Sequence, residues 1–250
     1  MKLIFYIILI FSFSLNLSAA GAGKEIPKHK WSFNGITGTF DKSAIQRGYK
    51  VYREVCAGCH SMNLLYYRDL IDIGFSNEEV KVIASEYTVI DGPDDEGEMF
   101  ERDARPSDRF VSPFANEQEA RASNNGSYPP DLSVITKAKL YGPDYIYHLL
   151  LGYSDPPADF ELGEGMYYNK WKEGYQIAMA QPLDEGYVDY DDGTDNSLPQ
   201  LAEDLTTFLV WSAEPELEER KELGIKVLIF FVILGIFVFI VKNRLWREVN

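Results

Sequence analysis

The sequence has 250 residues, a formal net charge of −15 and 46% apolar residues, with only two cysteines. That length suits one good-sized domain with additions at its ends. The acid excess excludes nucleic acid as a partner and favours a basic protein partner, drawn in by long-range attraction.

Lys2 and the apolar run from Leu3 to Leu15, broken only by Ser12 and Ser14, read as a secretory signal. Ser18-Ala19-Ala20 offers small residues for cleavage, which bounds a signal peptide at 1–20. The competing reading, an uncleaved anchor helix, needs a longer apolar core than this one. An exported domain then runs over 21–222.

Asp41 to Met62 predicts a helix, capped by Asp41 or Ser43, with Ile45, Tyr49, Tyr52, Val55 and Cys56 on one face and Cys59 and His60 at its C-terminal end. Glu78 to Glu86 predicts a short second helix, capped by Asn77. Asp91 to Gly97 reads as an acidic turn, and Arg102 to Pro130, rich in Pro, Ser, Asn and Gly, as a long irregular segment. Gly142-Pro143-Asp144 opens a helix through Leu151 that Gly152 closes. Asp155 to Gly174 is a loop with aromatics at Phe160, Tyr167, Tyr168 and Trp171, and Asp189 to Asn196 is an acidic turn. Pro199 begins a helix with Leu201, Leu205, Phe208 and Leu209 on one side, ending by Pro215. No repeat and no strong strand pattern occurs, so the fold reads as mainly α with long loops. Loops this long are uncommon unless they line a site.

Leu223 to Val241 is apolar except for Lys226, which lies near one edge and can snorkel. A core helix would rarely be apolar on every face, so 223–241 predicts a transmembrane helix. Lys242, Arg244 and Arg247 follow in a tail at 242–250, which puts that end in the cytoplasm, with Trp246 as an interfacial anchor. Lys2, Lys226, Lys242, Arg244 and Arg247, set against Glu248, carry +4 of the chain's −15, so the exported domain carries −19.

The two cysteines form Cys56-Ala57-Gly58-Cys59-His60, the spacing of c-type haem attachment. A three-residue step on a helical turn points both sulfurs the same way, toward two vinyl groups, and the next residue, His60, offers a nitrogen to iron. A disulfide or a thioredoxin-like redox pair competes for the same spacing, but the adjoining histidine and the missing strand–helix–strand setting favour haem. For the sixth iron position, Met62 is too close to His60 to reach the opposite face. His29, His148, Met99 and Met166 remain, together with Met179 in Ile177-Ala178-Met179-Ala180-Gln181-Pro182, whose small neighbours allow close approach to a ring. A closed position serves electron transfer, whereas an open one serves a peroxidase or gas-binding protein.

Several motifs resemble one family in order: Arg47 to Tyr52, Cys59-His60-Ser61-Met62, Asp91-Gly92-Pro93 with Gly97 to Phe100, Ala120-Arg121-Ala122-Ser123-Asn124-Asn125-Gly126, Pro129 to Ser133, Ile177 to Ala180 and Ala213 to Glu216. From about Trp31 onward the chain resembles the cytochrome c1 family of bacterial type, the haem subunits of the quinol–cytochrome c reductase (bc1) complex. The resemblance implies a class I cytochrome c-like helical domain whose long loops wrap the haem, plus the C-terminal membrane helix. It implies one covalent haem on Cys56, Cys59 and His60, Met179 as the axial methionine, and Arg121 near a haem propionate, which a guanidinium fork suits. Single electrons would pass from the Rieske iron–sulfur protein to a cytochrome c, beside a cytochrome b, with the haem domain in the periplasm of a bacterial inner membrane. No active site beyond the redox haem is implied. Gln181 departs from the family's usual proline, and the lack of further cysteines leaves no loop-stapling disulfide.

Overall fold

A computed structural model describes residues 24–247; the predicted signal peptide lies outside them. The described protein is mainly helical. Its order is α1 (Lys42–Val51), a π turn (Tyr52–Cys56), a 3-10 turn (Tyr67–Ile73), α2 (Asn77–Ser85), β1 (Thr88–Asp91), β2 (Phe100–Asp103), α3 (Glu117–Ser123), α4 (Ile135–Ala138), α5 (Pro143–Leu150), β3 (Tyr167–Tyr168), β4 (Gln176–Ile177), α6 (Leu198–Ala213) and α7 (Leu217–Arg247).

Helix α1 starts where the Asp41 carboxylate accepts from the amides of Ser43 and Ala44, the arrangement that satisfies a helix's orphan donors. Its apolar stripe packs across α6, the most extensive contact between elements. The two backbones meet at Gly48, where an added methyl would overlap the Asp204 carbonyl and lie 2.7 Å from Phe208 Cβ. Ile45, Tyr49, Leu201, Leu205 and Phe208 are all buried there. An aromatic column continues outward, with Tyr49 and Tyr52 each 5.7 Å from Phe208 and Tyr67 4.8 Å from Phe110. Each such side chain contributes about 1.5–3 kcal/mol by leaving water. Asp204, fully buried, holds Arg47 through both Nε (2.8 Å) and NH2 (3.0 Å), and the guanidinium pKa is raised chiefly by that hydrogen bond.

An N-terminal arm crosses α5. Asp144 on α5 accepts from Trp31 Nε1 at 2.7 Å and from the His29 amide at 3.1 Å. Gly142 and Pro143 open α5 as the sequence predicts.

Five differences from the sequence reading emerge, the first four with a physical cause. The first helix ends at Cys56 rather than Met62, because its last turn widens and the Ala57 amide reaches Tyr52 O at 2.8 Å. The second helix is capped by Ser76, whose hydroxyl accepts from the Glu79 amide while Glu79 accepts from the Ser76 amide; this reciprocal box outcompetes Asn77. The 91–97 turn joins strands β1 and β2, paired antiparallel with Thr88 opposite Asp103 and Asp91 opposite Phe100. A two-residue pair, Tyr167 with Ile177 and Tyr168 with Gln176, crosses the 155–174 loop. Strands of four and two residues are too short for alternation to register in sequence. The irregular 102–130 segment also contains α3.

Only Glu214, Pro215 and Glu216 separate α6 from α7. Helix α7 has 31 residues, is long and apolar enough to cross a membrane, and its most apolar window is not buried by any described residue.

Candidate functional site

The π turn brings the Cys-x-x-Cys-His motif onto the end of α1. Its extra residue turns the chain by about 100° relative to a regular helix, and such turns cluster at functional sites. Cys59 N and His60 N both bond to Cys56 O, at 3.0 and 2.9 Å, closing the motif into one compact turn. Cys56 is buried, Cys59 is exposed, and neither is in a disulfide. Burial pushes the Cys56 thiol up to about 12. A Cβ added at Gly58 would meet nothing within 4 Å, so the small residue answers to no neighbour within the protein.

His60 is held from two sides. Its Nδ1 lies 2.8 Å from Pro130 O, which assigns the N–H to Nδ1 and leaves the Nε2 lone pair for a metal. Burial lowers its pKa, against the raising effect of the Pro130 carbonyl, which keeps the ring neutral and able to ligate. The Tyr52 hydroxyl donates to His60 O at 3.0 Å. The donor set of two free thiols and one fixed, neutral imidazole in a single turn fits a covalently held haem.

Asp131, which sequence reasoning did not single out as a site residue, clamps this turn. Its Oδ2 accepts from Ser61 Oγ (2.9 Å) and the Asn63 amide (2.8 Å), and its Oδ1 from the Ser133 amide (2.8 Å). Leu132 N bonds Ser61 O at 2.9 Å, and Leu64 N bonds Ser133 Oγ at 3.1 Å. Burial would raise the Asp131 pKa, but these donors outweigh it and the net shift is downward. The Ser133 contact is a local Asx turn that sequence can reveal; the contacts to Ser61 and Asn63 cross 68 to 70 residues and leave no local trace.

Met179 stands on a second framework. It lies two residues beyond β4 and is half-buried, and its carbonyl accepts from the Tyr153 hydroxyl at 3.1 Å. Beneath it Asn169, fully buried, donates to Leu149 O at 2.7 Å and accepts from the Trp171 amide at 3.0 Å. Gly152 is required there, because a Cβ would sit 2.5 Å from Asn169 Oδ1. Of the other candidate sulfur and imidazole groups, Met166 is half-buried, as Met179 is. Met62 is fully buried core, Met99 is 60% exposed, His148 faces Pro27 O at 3.0 Å, and His29 faces Glu203 at 3.5 Å. Arg121 on α3 is exposed, pairing with Glu117 at 2.7 Å and donating to Gly126 O at 2.9 Å, so its guanidinium is engaged locally.

The Cytochrome C1 family model matches residues 31–249. The Arabidopsis thaliana protein named cytochrome c1 1, heme protein, mitochondrial, is 49% identical over 219 residues, covering 87% of this chain and 71% of that protein. The Saccharomyces cerevisiae cytochrome c1, heme protein, mitochondrial, is 46% identical over 235 residues, covering 94% and 76%. The cytochrome b/c1 of Bradyrhizobium diazoefficiens is 43% identical over 262 residues, covering 96% of this chain and 38% of that longer protein.

Proposed function

Because the chain belongs to the cytochrome c1 family, we propose that it is a membrane-anchored c-type cytochrome passing single electrons from a Rieske iron–sulfur protein to a cytochrome c within a quinol–cytochrome c reductase. The observation that carries this reading is the fixed imidazole of His60, held through Nδ1 by Pro130 O at 2.8 Å. When bound, the haem supplies a one-electron iron couple. Cys56 and Cys59 would hold it covalently, His60 Nε2 would ligate the iron, and Met179 would supply a second iron ligand. Pro130 O fixes the imidazole through Nδ1, while Tyr52 holds the His60 carbonyl and Asp131 holds the Ser61–Asn63 stretch that follows. Arg121 belongs to this reading as a propionate partner, which requires its fork to leave Glu117.

In the full topology, 1–20 is a signal peptide, 21–222 an exported haem domain, 223–241 the transmembrane helix and 242–250 a cytoplasmic tail. The haem domain then lies in the periplasm of a bacterial inner membrane, beside a cytochrome b. Mass measurement of the denatured chain tests the attachment: the chain keeps the mass of one haem, and a bare polypeptide mass refutes it. Carbon monoxide tests the sixth position, because the reduced native protein resists it and Met179→Leu admits it. Ready binding by the native protein, unchanged by the substitution, refutes Met179. Copurification with a cytochrome b and a Rieske protein tests the assembly.

A further inference from the structure

The underside of the helical domain, where α7 leaves it, exposes apolar side chains that the core does not need. Ile36 is 73% exposed and Leu140 is 71% exposed, with Tyr141 beside it. Both lie at the tips of tight turns. Gly35 has φ 78°, Tyr141 φ 67° and Gly142 φ 52°, and Gly142 N closes its turn on Lys139 O at 3.0 Å. A tyrosine at positive φ is sterically costly and persists only where its surroundings impose it.

Both turns are tied to the first turns of α7. Lys221 Nζ donates to the carbonyls of Phe33 (2.5 Å) and Gly38 (2.8 Å), the two sides of the Ile36 turn. Lys137, just before the Leu140 turn, pairs with Glu214 at 2.6 Å, and Glu214 pairs with Arg220 at 2.9 Å. Phe33, Lys137, Pro143, Val210, Leu217 and Lys221 line a cleft between these parts. The acids around the joint are engaged as well: Glu218 accepts from the Phe40 amide at 2.6 Å, and Glu222 pairs with Lys226 at 2.6 Å.

The height of the turns follows from the helix rise. Lys221 precedes Leu223, where the apolar stretch starts, by two residues and the charge-free run at Val227 by six. At 1.5 Å per residue, the backbone of Lys221, whose side chain holds the Ile36 turn, stands about 3–9 Å above the hydrocarbon edge when α7 is upright. The headgroup layer on each side of a bilayer is about 5–8 Å thick. Aliphatic tips with a tyrosine at that depth match the composition of an interfacial contact.

We propose that the turns bearing Ile36, Leu140 and Tyr141 form a foot resting in the headgroup layer of the same bilayer that α7 crosses. The foot rests on the reading of α7 as a membrane span, and it fixes the tilt of the haem domain over the membrane. Lys139, exposed beside Leu140, faces the lipid phosphates there.

Single cysteines at Ile36, Leu140, Ile90 on the β1–β2 hairpin and Ile233 within α7 test this. The haem-loaded complex carrying each one is labelled with a small fluorophore and reconstituted in phosphatidylcholine–phosphatidylglycerol vesicles. One lipid set bears quenchers at the headgroup, another deep in the acyl chains, and iodide serves as the aqueous quencher. Headgroup quenchers are expected to dim labels at 36 and 140 strongly and leave 90 bright, while acyl quenchers dim 233. Labels at 36 and 140 that respond only to iodide, as at 90, overturn the foot while a dimmed 233 leaves the span intact. Labels at 36 and 140 shielded from lipid and iodide alike also overturn it, because a protein subunit then covers the surface. A label at 233 untouched by acyl quenchers refutes the span itself.

Discussion

Replacing Asp131 tests whether the clamp on the haem-motif turn is as strong as its geometry indicates. Asp131→Ala removes three acceptor contacts, to Ser61 Oγ, Asn63 N and Ser133 N. Hydrogen bonds to a charged group contribute about 1.5–3 kcal/mol each. The Asn63 amide lies at the exposed edge and can turn to water, so its share is small. The other two donors are part-buried, and the net loss comes to about 3 kcal/mol. For a domain of this size about 2–4 °C of Tm accompanies each kcal/mol, which predicts a fall of about 6–12 °C. Asp131→Asn keeps an acceptor oxygen and the side-chain shape, and costs about 1 kcal/mol through loss of charge assistance. Thermal unfolding of the detergent-solubilised haem protein, followed by Soret circular dichroism, reads both. The graded order native, Asn, Ala is the expected result. Identical melting curves for all three proteins would refute the clamp.

Acid should loosen the same contact. The folded Asp131 pKa lies below its unfolded value of about 3.9, so its stabilisation is present above that value and is lost as pH falls through the folded pKa. The gap between native and Asp131→Asn proteins should therefore start to narrow once pH falls below about 4 and go on narrowing with further acid; a gap that stays constant down to the lowest accessible pH counts against the titration. Gly48→Ala forces α1 away from α6 and should destabilise by about 1–3 kcal/mol in denaturant titration; a neutral result would show that the helices can separate freely. Asp204→Ala leaves Arg47 only its exposed partner Asp192, and a loss at or below the low end of about 3–5 kcal/mol is expected, with Arg47→Met/Asp204→Leu recovering most of it. A double variant as unstable as the single one would assign the loss to packing. Turnover with a basic cytochrome c should slow as salt rises beyond its optimum, since the domain carries −19 once the charges of the two ends are set aside; a flat response rejects electrostatic docking.

The parts legible in sequence are those that a short stretch of chain determines. The stripe Ile45, Tyr49, Tyr52 and Cys56 is buried as its spacing requires, as is Leu201, Leu205, Phe208 and Leu209 on α6. The Gly142-Pro143 start and the unbroken apolar face of α7 likewise need only local rules. The cysteine pair and His60 were readable as a motif because three residue types at fixed spacing suffice. What escaped is non-local or depends on one extra residue. The π turn at Tyr52–Cys56 serves a side chain that reaches forward to His60 O. The hold of Pro130 on His60 spans 70 residues, and Asn169 acts on Leu149 across 20. Arg121 pairs with Glu117 at i−4, a local contact of the kind that helix spacing alone can suggest.

The three-residue elbow between α6 and α7 bears on how such a molecule works. Glu214 leaves helical geometry, but its N bonds Val210 O at 2.9 Å and Leu217 N bonds its O at 3.1 Å, so the bend is tied to both helices. Leu217 is buried, and Glu214 is gripped by Lys137 and Arg220. The anchor is therefore a mast and not a leash. A leashed domain could swing between donor and acceptor, whereas a mast holds its redox group at one height and one heading. On the proposed reading, any travel needed to bring an electron in or carry it away would fall to the partner proteins.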